Sequence, residues 1–283
     1  MSIVEVIRMI NVCYALTDVD GTYYEQLGAS IISLCDKNKD NINIFIITDS
    51  TLSNAAQNHL LAISKYTYCS INFIYINSHE ELTKYVDPQC IEKHSYATMY
   101  RLYIDQIFPE YIDKIIYLDA DTIINCDICN IWMTDLEDIT CAAVLDLNIF
   151  RNNEAWKEWV KSITDIKNMD AYVNAGVLIF NLDRLRKKYH FYDDAMNYFK
   201  NNPKSFFGDQ DAINSIFGNN NDLKILPYEY NQYVVELKKN PTSLSDGIYH
   251  WAAIRSKNKH EKIGNNIYDD LYWTYYSKFM ELK

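Results

Sequence analysis

Along the first third of the chain, largely apolar runs alternate with helical stripes. "MINVCYAL" (9–16), "INIFIIT" (42–48) and "SINFIYI" (70–76) have strand length and many β-branched residues. The first suits a strand buried on both faces, the second reads as another buried strand and the third as a further strand. Between the first two, Leu27, Ile31, Leu34 and Cys35 fall on one helical face. "SNAAQNHLLAISKY" (53–66) reads as a second helix with Ser53 as its N-cap. This β-α-β-α-β rhythm predicts an α/β fold with a parallel, doubly wound sheet, Rossmann-like, helices on both faces.

Further on, the period between Ser95 and Ile107 is helical, with Met99, Leu102, Tyr103 and Ile107 forming the apolar stripe. Arg101 lies off that stripe and is expected to be free to face a ligand. After Pro109, "KIIYLDAD" (114–121) reads as a strand ending in two carboxylates. Ligands of open α/β sheets gather beyond the carboxyl ends of the strands. Past residue 140 the pattern loosens: "CAAVLDL", "VNAGVLIFNL" and "GIYHWAAI" suggest strands, and "LDRLRKKYHFYDDAMNYF" and "GDQDAINSIF" suggest helices. "YDDLYWTYYSKFM" suggests a last helix with aromatics on most faces. With no repeat or linker in view, residues 1–283 are expected to form one unit. Its parts would be a nucleotide half (about 1–128), a sugar and acceptor half (about 129–255) and a helical tail (about 256–283).

Composition narrows the classes. Thirty-eight acidic against 27 basic side chains give a net charge of −11, which argues against a nucleic-acid binder. The basic stretch "IRSKNKHEK" (254–262) is the local exception, read either as a solvated loop or as a contact for phosphate or an anionic surface. The seven cysteines are an odd number, which suggests free thiols and a reducing compartment. "CDIC" (126–129) lacks the second ligand pair a metal site would need. The N-terminal "MSIVEVIRMINVCYALTD" is interrupted by Glu5 and Arg8 and reads as a strand with a lead-in. No run of 18 apolar residues occurs, so a cytoplasmic protein is expected. The aromatic tail leaves two readings open: a packed helix, or a peripheral contact with the inner face of a membrane carrying a lipid-linked acceptor.

Two Asp-x-Asp pairs carry the candidate chemistry. "DVDGT" (18–22) matches the nucleophile motif of haloacid-dehalogenase-like phosphohydrolases, in which Asp18 would attack phosphorus and Asp20 act as acid/base. That chemistry wants magnesium held by a second acidic cluster after an apolar strand. "FFGDQDAINS" supplies no such strand and has Asn214 where an aspartate is needed. The second pair, Asp119 and Asp121 in "YLDADTII", presents hard oxygen ligands at a strand end, suited to Mn²⁺ or Mg²⁺ and a nucleotide diphosphate.

Five blocks in order decide between them. "YALTDVDGTYYEQLGASIISL", "SYATMYRLYIDQIFPEYIDKIIYLDADTIINCDI", "YVNAGVLIFNLDRLR", "GDQDAINSIF" and "IYHWAAI" resemble family 8 glycosyltransferases, the group of glycogenin and bacterial lipopolysaccharide galactosyl- and glucosyltransferases. The resemblance implies a GT-A-type fold and a retaining, metal-dependent transfer of hexose from UDP-glucose or UDP-galactose to a saccharide or glycoconjugate acceptor. It makes Ala15, Leu16, Thr17, Asp20, Tyr23, Arg101, Ala120 and Lys257 nucleotide contacts, with Tyr23 stacking on uracil. Asp119, Asp121 and His250 become the metal ligands. Asn174, Ala175 and Gly176, with Asp119, Asp209 and Gln210, contact the donor sugar, and Asp209 and Gln210 are the catalytic candidates. Asp18 receives no role. One departure stands out: the family's lysine before Pro-Trp falls on Ser256, leaving Lys257 or Arg255 to grip the diphosphate. A phosphohydrolase and a catalytically silent sugar-nucleotide binder are the alternatives.

Overall fold

The computed structural model describes residues 9–39, 41–252 and 266–282. The first three apolar runs form β1 (Met9–Leu16), β2 (Asn41–Thr48) and β3 (Cys69–Tyr75). Between them lie helices α1 (Tyr23–Lys37) and α2 (Asn54–Ala62). Ser53 caps α2 as expected, its hydroxyl accepting from the Ala56 amide at 3.2 Å. The remaining strands are β4 (Lys114–Leu118), β5 (Thr122–Ile124), β6 (Cys141–Leu145), β7 (Val173–Asn181), β8 (Leu223–Leu226), β9 (Gln232–Tyr233) and β10 (Ile248–His250).

Seven strands make the central sheet, in the order β3-β2-β1-β4-β7-β6-β8. All its junctions are parallel except the two that β7 makes, with β4 and with β6. The sheet is thus mostly parallel, within a GT-A-type α/β fold. The antiparallel β7 follows from the path of the chain. β6 runs to the carboxyl edge, residues 146–172 stay on that rim, and β7 starts there and runs back. Its sequence, buried on both faces, encodes burial but not direction. The consequence is functional: the first residues of β7 lie beside the last residues of β4, with Leu118 opposite Val177.

Alternation along β1 divides the core. Val12, Tyr14 and Leu16 join one buried cluster, while Cys13 and Ala15 join the cluster on the other face. The last helix, Ile267–Met280, packs on the first side against α1. A Cβ on Gly28 would lie 2.4 Å from the Phe279 ring, so glycine is what lets the two helices meet there. Tyr268, Tyr272, Tyr275 and Phe279 all turn inward. Asp270, Thr274, Ser277 and Lys278 face outward. The aromatic tail is therefore a packed helix. The basic stretch at 254–262 lies outside the described residues. Among the described residues no helix is long and apolar enough to cross a membrane.

Two expected helices differ in form. Residues 182–199 break at Tyr189 and His190 into Leu182–Lys188 and Phe191–Asn201. The stretch after Ser95 is a 3₁₀ helix over Tyr96–Tyr103, followed by a single α turn, Ile104–Ile107. Arg101 points inward and is 2% exposed. It is off the apolar stripe, yet it is not free.

Candidate active site

The carboxyl end of β4 turns sharply at Asp119–Asp121, where the Thr122 hydroxyl donates to the Asp119 carbonyl at 2.8 Å. β5 leaves that turn and pairs with β10, setting His250 opposite Thr122. The Trp251 amide donates to the Asp121 carbonyl at 3.0 Å. This small second sheet brings a histidine from 129 residues downstream onto the acidic turn. His250 Nε2 lies 3.2 Å from Asp121 Oδ1 and 3.7 Å from Asp119 Oδ2. One ligand atom from each of the three side chains lies within 4.8 Å of the others. Two carboxylates and an imidazole suit a manganese-like divalent ion. The cradle is closed from behind by Gly176, whose Cβ would fall 2.3 Å from His250 Cε1 and 2.9 Å from Asp119 Oδ2. Only a residue without a side chain fits there.

Asp119 is held by more than this cluster. Its Oδ1 accepts from Arg101 Nη2 at 2.8 Å and from the Tyr117 hydroxyl at 3.0 Å. The guanidinium lies 4.1 Å from the centre of the Tyr117 ring, pairs through Nε with Asp209 at 3.0 Å and donates to the Ala175 carbonyl. Burial works against its charge, but the Asp119 and Asp209 carboxylates outweigh it and hold the proton more firmly than usual. Asp209 feels the opposite balance. Burial, with help from Asp119, pushes its carboxyl up to about 7 against the pull of Arg101. Gly208 ahead of it has φ +55°, and a Cβ there would strike Met99 Cε at 2.3 Å, so "GDQ" needs its glycine.

Beside Asp209, the Gln210 amide is fixed at both ends. Its oxygen accepts from Asn174 Nδ2 at 2.9 Å and from the Ala175 amide at 3.1 Å. Its nitrogen donates to Asp146 at 3.3 Å and to the Tyr172 hydroxyl at 3.2 Å. Asn174 Oδ1 in turn accepts from the Gly176 amide and from Asn231 Nδ2, both at 2.8 Å. The far end of Asn231 meets His250 Nδ1 at 2.8 Å. Acidic turn, histidine, asparagine and glutamine thus form one hydrogen-bonded rim across the ends of β4, β7 and β10.

Residues 14–254 match the family model of glycosyl transferase family 8. The chain belongs to that family. Among relatives, general stress protein A of Bacillus subtilis is 27% identical over 218 residues, covering 74% of this chain and 70% of that protein. The lipopolysaccharide 1,2-glucosyltransferase of Escherichia coli K12 is 24% identical, covering 78% of this chain and 62% of that enzyme. A Haemophilus influenzae relative, 27% identical, is spanned over only 57% of its length. The chain thus spans less than two thirds of several relatives it matches. Among solved structures, the galactosyltransferase LgtC with donor and acceptor sugar analogues superposes with a TM-score of 0.76 at 19% identity, covering 95% of this chain and 96% of that one. That likeness establishes a shared fold.

The other family 8 block, at the end of β1, sits on the same edge, since Tyr14 pairs with Leu118. Ala15 and Leu16 are buried, Thr17 and Tyr23 are half-buried, and Asp20 is exposed. Asp18 is occupied at the start of α1: its Oδ1 accepts from the amides of Tyr23 at 2.7 Å and Tyr24 at 3.4 Å. It satisfies the orphan donors at the start of α1 and is 3% exposed, a helix-terminus role the motif does not announce. Nothing in this arrangement favours Asp18 as a nucleophile. Lys257 and Arg255 lie outside the described residues. Sequence reasoning missed Asp146, Tyr172 and Asn231. Asp146 carried a signal, an acid at the end of the apolar "CAAVLD", whereas Asn231 in "YEYNQY" carried none.

Proposed function

We propose that the chain is a retaining, metal-dependent glycosyltransferase that moves glucose or galactose from a UDP-sugar to a saccharide or glycoconjugate acceptor, the whole chain acting as one unit. The observation that carries this reading is the convergence of Asp119, Asp121 and His250 on a single point beside Asn174 and Gln210. The named activities of the glucosyltransferase and galactosyltransferase relatives favour a hexose donor.

In this reading Asp119, Asp121 and His250 Nε2 hold Mn²⁺ or Mg²⁺. The ion, when bound, supplies positive charge where the departing diphosphate gathers negative charge. The buried Arg101 keeps Asp119 aimed by a hydrogen bond, and an orientation fixed beforehand costs no rearrangement during reaction. Asn174 offers an amide, and Ala175 and Gly176 offer close backbone, to the hydroxyls of the donor sugar. Ala15, Leu16, Thr17, Asp20, Tyr23 and Ala120 receive the nucleotide along the ends of β1 and β4, with Lys257 or Arg255 completing the diphosphate grip.

Gln210, an amide locked by four hydrogen bonds, is a poor nucleophile. Double displacement requires a carboxylate at the reacting carbon. The two neighbours of Gln210 in sequence are both engaged: Asp209 is paired with Arg101 at 3.0 Å, and the fully buried Asp211 accepts from Tyr172 at 2.5 Å, Ser205 at 2.8 Å and the Phe207 amide at 3.0 Å. Same-face attack by the acceptor, with Gln210 steadying positive charge on the sugar, fits these groups better.

The test is a donor screen on metal-stripped protein, using UDP-glucose, UDP-galactose and their N-acetylated forms with and without Mn²⁺. Release of UDP from one hexose donor, only with metal, is the expected result. UDP binding without release from any donor would replace the transferase with a silent binder. Phosphate release abolished by Asp18→Asn would restore the phosphohydrolase.

A further inference from the structure

The hydrogen bonds behind the acidic turn have a direction, and that direction can be followed from the backbone outward. Gly176 N–H can only donate, so the Asn174 atom it meets at 2.8 Å is the carbonyl oxygen. Ala175 N–H fixes the Gln210 oxygen in the same way, and Asn174 must offer that oxygen its NH₂ group. Asn231, approaching the Asn174 oxygen at 2.8 Å, therefore presents its own NH₂. Its remaining atom, the carbonyl oxygen, is the one that faces His250 Nδ1 at 2.8 Å. An acceptor there demands a proton on Nδ1. The lone pair of the neutral ring is left on Nε2, the nitrogen that faces Asp121 and Asp119.

We propose that Asn231 is a positioning residue with two separable tasks, resting on the metal-dependent reading above. Its oxygen fixes the His250 tautomer that can ligate a cation, and its NH₂ group fixes the Asn174 amide that meets the donor sugar. Asn231 is fully buried. It is the link through which cation binding and the shape of the sugar pocket influence each other. A partner on the distal nitrogen of a ligating histidine typically accounts for about 10- to 100-fold in metal affinity.

Two substitutions separate the tasks. Asn231→Leu removes both hydrogen bonds, whereas Asn231→Asp keeps an acceptor for Nδ1 and loses the donor to Asn174. The first measurement is ¹⁵N NMR of the histidines in metal-free protein at a pH where the ring is neutral, with His250 assigned from His250→Gln. The parent protein and Asn231→Asp are expected to carry the proton on Nδ1, and Asn231→Leu is expected to lose that preference. The second is Mn²⁺ titration without donor, followed by UDP binding and UDP-sugar KM.

Asn231→Leu is expected to weaken Mn²⁺ about 10-fold or more. Asn231→Asp is expected to hold Mn²⁺ within about threefold while raising the donor KM and leaving UDP affinity unchanged. An Nε2-protonated His250 in the parent protein, or equal loss of Mn²⁺ in both variants, would overturn the proposal. The NMR result needs no metal. A parent protein with the expected tautomer that binds no Mn²⁺ would therefore count against the cation reading and leave the tautomer assignment standing.

Discussion

Two pairs of aspartates, each two residues apart at the carboxyl end of a parallel strand, end in different environments. Asp18 folds back onto the first amides of α1, and Asp20 is left in solvent. No described cation forms a salt bridge with either. Asp119 is gripped by Tyr117 and Arg101, and Asp121 faces an imidazole delivered by a separate sheet. An acidic pair becomes a candidate site through what the fold brings to it, and nothing in the three letters Asp-x-Asp carries that information. Of the first pair, Asp18 supports a helix terminus; the second pair carries the proposed metal chemistry.

The sharpest way to break this contrast is to neutralise each pair in turn. Asp119→Asn or Asp121→Asn is expected to lower kcat/KM for UDP release by about a thousandfold, roughly 4 kcal/mol, because the ligand set loses a charge. Asp18→Asn keeps an oxygen for the Tyr23 amide and is expected to leave kcat/KM within about threefold. Equal losses in both pairs, measured on one donor, would erase the distinction.

A smaller effect sharpens the same comparison through stability. Arg101→Met leaves Asp209 and Asp119 without their buried partner, and breaking such pairs costs about 3 to 5 kcal/mol. Denaturant unfolding should show that loss. A change below about 1 kcal/mol would mean the guanidinium does not support the second pair.

The smallest effect concerns pH. Burial pushes the Asp18 carboxyl above its usual range, against the lowering effect of the Tyr23 and Tyr24 amides. A raised carboxylate binds its proton more readily in the folded state than in the unfolded one, so folding gains stability as pH falls through that range. Asp18→Asn has no such proton to bind. The parent protein is therefore expected to gain on Asp18→Asn, in melting temperature, as pH is lowered from 7 towards 4. The opposite trend would mean that the two helix-end amides outweigh burial.

How much of this could be read from the letters differs from element to element. β1 and β2 were plain, because a strand buried on both faces must be apolar almost throughout; β3 was legible from its β-branched and aromatic residues, although Ser70, Asn72 and Tyr75 are exposed on this edge strand. β8 was not: Lys224 and Ile225 are exposed on an edge strand, so no pattern of burial marks it. The reversal of β7 was also hidden, since burial does not depend on chain direction. Asp119, Asp121 and His250 were legible as parts of family blocks, and the fold brings them together through a β5–β10 pairing of only three residues on each strand. Arg101 was named, but its inward aim is set by Asp119, Ala175 and Asp209, partners far off in sequence. Asn231 could not be found at all, because its role is set by partners at residues 174 and 250.

Mn²⁺ binding followed by electron paramagnetic resonance on metal-stripped protein tests the central claim most directly. One bound ion is expected in the parent protein and in Asp18→Asn, with loss of that binding in Asp121→Asn and in His250→Ala. Mn²⁺ bound as tightly by those last two variants as by the parent would contradict the account.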